Sequence, residues 1–215
     1  MPNLNKECDK VASTLLSFVG RLVNSPSIPA TDTSVEEGKL PPEAITNAKG
    51  LAIFSAFRAG MMFAGTAGSG VVVARLADGS WSPPSVFSVK SGGFGLVYGV
   101  NYFDCVCVLN NEAAVDAYRS PEVTLGGRLD LAAGPVGGAL NTGKTSPLWT
   151  YTRSRGLYGG VALDGTSIKE QREANAESYG KNIAAAQILR GKGVQWPAGA
   201  SKLRSALVTL DQRKS

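Results

Sequence analysis

The sequence predicts an α+β domain: a curved, Gly-rich, mainly antiparallel β-sheet, barrel- or sandwich-like, with N- and C-terminal helices. Three observations carry this. Apolar side chains recur at helical spacing over residues 4–22. Residues 51–163 are rich in Val, Phe, Tyr and Gly in strand-like runs, and helical composition returns afterwards. Long helices do not alternate with the strands, which disfavours a doubly wound parallel sheet. Glycine supplies 26 of 215 residues, about 12% against a usual ~7%. Glycines inside strands mark bulges, corners and close backbone approach, so their number predicts strong curvature.

In chain order, Leu4, Cys8, Val11, Leu15, Phe18 and Leu22 form one apolar stripe, predicting an amphipathic helix within residues 1–24. Residues 25–40 are polar and proline-punctuated and read as a linker. A short helix follows at 42–49, with Pro42 in its first turn and Gly50 after its end. Asp78-Gly79 reads as a hairpin turn and Gly65–Gly70 as a turn-rich connector between strands. Leu96–Leu109 is a long strand, 111–119 a short helix stopped before Pro121, and 122–134 a strand; further strands follow at 149–153 and 157–163. Helix is expected from Thr166 onward, broken near Gly180 and Pro197, with a basic helix or tail over 193–215.

Several chemistries are excluded by composition. The chain has no histidine, so imidazole catalysis and His-ligated zinc cannot be built from it. Its three cysteines include Cys105-Val-Cys107, which puts two thiols on one strand face, and no C-x-x-C occurs. Buried thiols in a reducing compartment are expected. No apolar run reaches the ~18 residues of a membrane span, and Glu7 and Asp9 argue against a signal peptide. Residues 1–143 hold 10 Lys/Arg and 12 Asp/Glu, whereas residues 144–215 hold 12 and 5. The basic last third suggests an anionic partner, with Arg153 and Arg155 alternating on one strand face, Lys144 just upstream, and Lys169, Arg172 and Lys181 on helices. No nucleic-acid-binding motif accompanies them, so nucleic acid is not an expected partner.

Gly138–Thr145 satisfies G-x-x-x-x-G-K-[ST], the phosphate loop, but Pro147 and a β-type run stand where the motif needs a helix. A nucleotide hydrolase is therefore the last-ranked reading. Gly93–Gly99 reads as strand glycines rather than a dinucleotide loop. Asp104, Asp130 and Asp164 form no carboxylate pair, and no calcium loop is present, so no metal or cofactor is expected.

Together, LPPEAITNAKGLAIFSAFRAGMMFAGTAGSGVVVARLADGSWSPPSVFSV, GVNYFDCVCVLN, VTLGGRLDLAAGPVG and TRSRGLYGGVALDGTSIKEQREAN closely resemble the SYLF (Ysc84-type) family. The resemblance covers roughly residues 4–192, with its core at 41–192. It implies a non-enzymatic module that binds phosphoinositide-containing, anionic membranes, with some fungal members binding and bundling actin filaments at endocytic sites. The implied partners are therefore membrane phosphoinositides, actin filaments and endocytic adaptor proteins. The implied location is cytoplasmic, peripheral at plasma membrane, endosomes and cortical actin.

The family's lipid contact falls on the first helix, so Lys6, Lys10 and Arg21 carry over as basic contacts, with Leu15 and Phe18 as inserting apolar side chains. The residues alone instead favour packing of that stripe on the domain. Arg58 keeps a charge before the AG turn, while Thr66 stands where relatives can have a basic residue. Glu7 and Asp9 leave residues 1–24 at only +1, so this helix alone should bind weakly. The basic residues Lys144, Arg153 and Arg155 complete the expected contact set. A carrier of a small hydrophobic ligand inside a closed β-structure is the alternative reading.

Overall fold

Two strands of 25 residues dominate the fold, and their length sets its shape. At ~3.3 Å per residue each would run about 80 Å if straight, roughly twice the diameter expected for a globule of this size. They must therefore bend. The computed structural model of the chain describes residues 3–19, 40–132 and 148–212. Its strands are β1 (Gly50–Ala74), β2 (Ser85–Leu109), β3 (Glu122–Ala132) and β4 (Leu148–Glu170). They form one antiparallel sheet in the order β1-β2-β4-β3. The helices are α1 (Leu4–Val19), α2 (Pro42–Thr46), α3 (Glu112–Arg119), α4 (Arg172–Tyr179), α5 (Ala185–Arg190) and α6 (Ser201–Gln212).

The β1–β2 ribbon turns back on itself where the register shifts between Met61 and Phe63, and Met62 takes a left-handed φ of 69°. Its two halves meet at two glycines. A Cβ added to Gly68 would collide with Ser55 and Ala56, and one on Gly70 with Ile53 and Phe54. Only glycine allows backbone to approach this closely. Gly68 and Gly70 share a face with Phe54 and Ala56, so that face lies inside the bend and the alternate residues lie outside.

The two faces bury different cores. Inside the bend, Ala52, Val72, Phe87, Val89, Cys105 and Cys107 pack with Val115 and Tyr118 of α3 and Leu189 of α5. Outside it, Leu51, Ile53, Val71, Val73, Val106 and Val108 are covered by α1, α2 and α6. Polar ties fix the helices. Asp211 of α6 accepts from Arg75 at 2.7 and 2.9 Å and from the Trp81 indole at 2.8 Å. Asn175 of α4 accepts from the Val86 amide and donates to Ser85.

The α+β class, the curved antiparallel sheet and the terminal helices agree with expectation. Asp78-Gly79 is a turn, with Gly79 at φ 82°. Four readings change. The sheet does not close into a barrel, because β1 and β3 are its edges among the described residues. Gly65–Gly70 lies inside β1 rather than in a connector, since its glycines serve the crossing. Residues 166–170 extend β4 instead of starting a helix. Ladder pairing holds them to β2 and β3, and Glu170 is buried, accepting from the Ala185 amide. Residues 149–153 and 157–163 likewise belong to one strand, not two. The phosphate-loop match, residues 20–24 and most of the linker lie outside the described residues, but the chain after that match resumes as strand at Leu148.

Gly70→Ala is expected to lower stability by about 1–3 kcal/mol or more, as overpacking against backbone does. Gly92→Ala, where an added Cβ meets open space, should leave the midpoint of denaturant unfolding nearly unchanged. Equal midpoints for the two variants would show that the halves do not touch there.

Candidate functional site

Helix α1 is seated in the core rather than lying free. Leu15 and Phe18 are 0% and 1% exposed and pack with Leu4, Cys8 and Val11 against the sheet and α6. In this arrangement both are core residues, the packing read from the residues alone, and insertion into a bilayer would require α1 to leave its seat. Lys6 is exposed, and half-buried Lys10 lies 3.9 Å from Glu7. Glu7 is buried and accepts from Ser69 at 2.8 Å. Asp9 pairs with Lys202 of α6 at 3.2 Å. Arg21 and Lys144 lie outside the described residues.

The two β4 arginines have unlike environments although they share a strand face. Arg153 donates to the Ser17 hydroxyl at 2.8 Å and the Ser17 carbonyl at 2.9 Å, and its guanidinium sits 4.5 Å from the Phe18 ring centre. It thus satisfies an end carbonyl of α1 and adds a cation–π contact. Arg155, two residues on, is exposed and donates to Asp104 at 3.0 Å. Asp104 is buried and also accepts from Ser55 at 2.6 Å, which ties β1, β2 and β4 laterally. Arg58 is half-buried on β1 opposite Asn101, away from the outer face that carries Arg155.

Sequence reasoning missed Lys90 and misplaced Lys169 on a helix. Both stand on the outer face of the sheet, in an open groove of ≈ 510 Å³ shared with Ser69, Ser88, Ser167 and Glu122. Lys169 lies 3.8 Å from Glu122. The signal was the polar alternation of Ser88 and Lys90 within an otherwise apolar strand. The structure therefore does not gather the expected basic residues at one point: Arg155 joins Lys90 and Lys169 on the outer sheet face, Lys6 is on α1, and Arg153 is engaged by the helix.

The three thiols are buried and none is in a disulfide among the described residues. Cys105 and Cys107 lie on the same face, with sulfurs 3.6 Å apart. Burial, with Asp9 and Glu7 adding to it, pushes the Cys8 thiol from the ordinary 9.0 up to about 12. Among the described residues no group of three or more His, Cys, Asp or Glu could hold a metal ion. No described helix is long and apolar enough to cross a membrane.

An α+β domain of this kind, with an open folded sheet and an outer face partly covered by helices, defines a class by architecture alone; comparison with known proteins gives the family. The profile described as "Las17-binding protein actin regulator" matches residues 90–210. An SH3 domain-containing protein of Schizosaccharomyces pombe is 39% identical over 212 residues, covering 95% of this chain and 47% of its own. Protein YSC84 of Saccharomyces cerevisiae is 38% identical over 209 residues, covering 94% and 43%. The human SH3 domain-containing YSC84-like protein 1 is 36% identical over 216 residues, covering 98% and 60%. The chain belongs to the Ysc84 (SYLF) family of actin regulators. It spans about half the length of these relatives. No solved structure matches it.

Two outcomes follow from the seating of α1. Arg153→Ala should cost about 1–3 kcal/mol and raise amide exchange in Ser13–Val19 before exchange in the sheet; unchanged exchange there would refute the clasp. The Cys8 thiol has a folded pKa above its unfolded one, so its contribution is full below about pH 9 and lost as pH rises toward about 12. Cys8→Ala should accordingly flatten the alkaline limb of a stability–pH profile.

Proposed function

We propose that this domain is a non-catalytic adaptor module that docks on anionic membrane surfaces, those rich in phosphoinositides above all, and links them to actin filaments in endocytosis. The observation that carries the reading is membership of a family described as actin regulators, with matched relatives that carry SH3 domains by name. The surface supports it: Lys6 of α1 and Lys90, Arg155 and Lys169 of the sheet present cations to solvent. Lys10, Arg21, Arg58, Lys144 and Arg153 complete the proposed basic set. Leu15 and Phe18 would take part only if α1 left its seat. Endocytic adaptor proteins are further proposed partners, and the proposed site of action is the cytoplasmic face of plasma membrane and endosomes, beside cortical actin. A carrier of small hydrophobic molecules is not favoured, because the sheet is open and side chains fill the inside of its bend.

In co-sedimentation, the chain should pellet with vesicles containing phosphatidylserine and phosphoinositide more than with phosphatidylcholine alone, and with actin filaments. Both should weaken as ionic strength rises, since exposed charges are screened. Equal pelleting with charged and neutral vesicles would sink the lipid half of the proposal. No pelleting with filaments at low salt would sink the actin half.

A further inference from the structure

The outer face of the β1–β2 ribbon outruns the described helices that cover it. The row containing Ser55, Asp104 and Arg153 meets the end of α1 at Ser17. Beyond it come four cross-strand pairs on the same face: Phe57 with Tyr102, Ala59 with Val100, Met61 with Tyr98, and Phe63 with Phe94. Met61, Phe63, Phe94 and Tyr98 are 72%, 69%, 63% and 75% exposed, and Met62 at the turn is exposed as well. Exposed apolar side chains scattered singly are ordinary; contiguous, as here, they mark an interaction surface. Phe63 and Phe94 stack edge-to-face at 5.2 Å, so the crest is ordered rather than frayed.

Shape and charge select the occupant. The crest lies on the outside of the bend, so it is convex and offers no groove to a peptide. Its flanks carry exposed cations on both sides: Arg155, paired with Asp104, stands opposite Tyr102 at one end, while Lys90 and Lys169, the latter beside Glu122, stand at the other. Between the Asp104 row and the Lys169 row, the outward register positions of β1, β2 and β4 contain no carboxylate. Two copies placed crest to crest would bring like charges together. An anionic bilayer instead meets both needs at once, with headgroups for the flanks and acyl chains for the crest.

We propose that the crest Phe57–Phe63/Phe94–Tyr102 is a membrane-inserting edge, entering the headgroup–acyl boundary of an anionic bilayer while α1 stays packed. The inference rests on the membrane reading above and moves the apolar contact from the first helix to the bend of the sheet. The seated Leu15 and Phe18 are then no obstacle to binding.

The test uses the full chain with an environment-sensitive dye on Met61→Cys, the native thiols being buried, and a second dye on Leu16→Cys, an exposed position of α1. On phosphatidylserine/phosphatidylcholine vesicles, the dye at 61 should shift to the blue and be quenched by spin-labelled lipid, while the dye at 16 stays unshifted. Met61→Ser/Phe63→Ser/Phe94→Ser should keep the wild-type unfolding midpoint and lose at least tenfold in vesicle affinity. Wild-type binding with an unmoved dye at 61, or with full affinity in the triple variant, overturns the crest and leaves the membrane reading standing. A shift at 16 and not at 61 assigns the contact to the helix and also overturns it. A dimer in sedimentation that the triple variant abolishes, with vesicle affinity unchanged, assigns the crest to a second copy. Failure of the wild-type chain to bind any anionic vesicle removes the membrane reading itself, and the crest with it.

Discussion

The close crossing at Gly68 and Gly70 is the constraint on which the rest of the domain depends. Without it a ribbon of 25-residue strands would extend well past any core able to cover it. By letting backbone meet backbone, the two glycines turn one long sheet into a bend with an inside and an outside. The inside becomes a core of aromatic, aliphatic and thiol side chains closed by α3 and α5. The outside divides: one part takes α1, α2 and α6, and the part beyond Ser55 and Asp104 takes no helix among the described residues.

Charge is spent unevenly on this frame. A net charge of +5 suggests a generally basic surface, yet several cations are internal fittings. Arg75 is clasped by Asp211 beside Trp81, and Arg153 holds the end of α1. Buried carboxylates do matching work at Glu7, Asp104 and Glu170. Net charge counts all of these, whereas an approaching anion meets only the solvent-facing remainder.

The sequence made the local structure legible and left the long-range structure dark. The stripe from Leu4 to Phe18, the short helix stopped before Pro121 and the turn at Asp78-Gly79 are local signals, each read within a few residues. Gly65–Gly70 was misread because glycines in a turn and glycines at a crossing look alike until the partner at Ile53–Ala56 is known. Thr166–Glu170 was misread because helical composition begins before the strand pairing ends, and the pairing partners lie far away in β2 and β3. The basic residues were easy to count and hard to place. Whether Arg153 faces water or Ser17 depends on where α1 lands, which no spacing within β4 encodes.

The strands that form the bend also pass through two environments along their own length. In β2, Val106 and Val108 lie under packed helices, while Tyr98 and Val100, six to ten residues away, face solvent. Cooperativity is therefore not a property of the strand as a unit. Opening of its outer portion breaks ladder bonds without uncovering either core, so that portion belongs to a less stable unit than the portion it continues. Each long strand here joins two buried ends through a solvent-facing middle that can loosen alone, and one boundary of that middle falls in the row of Ser55, Asp104 and Arg153.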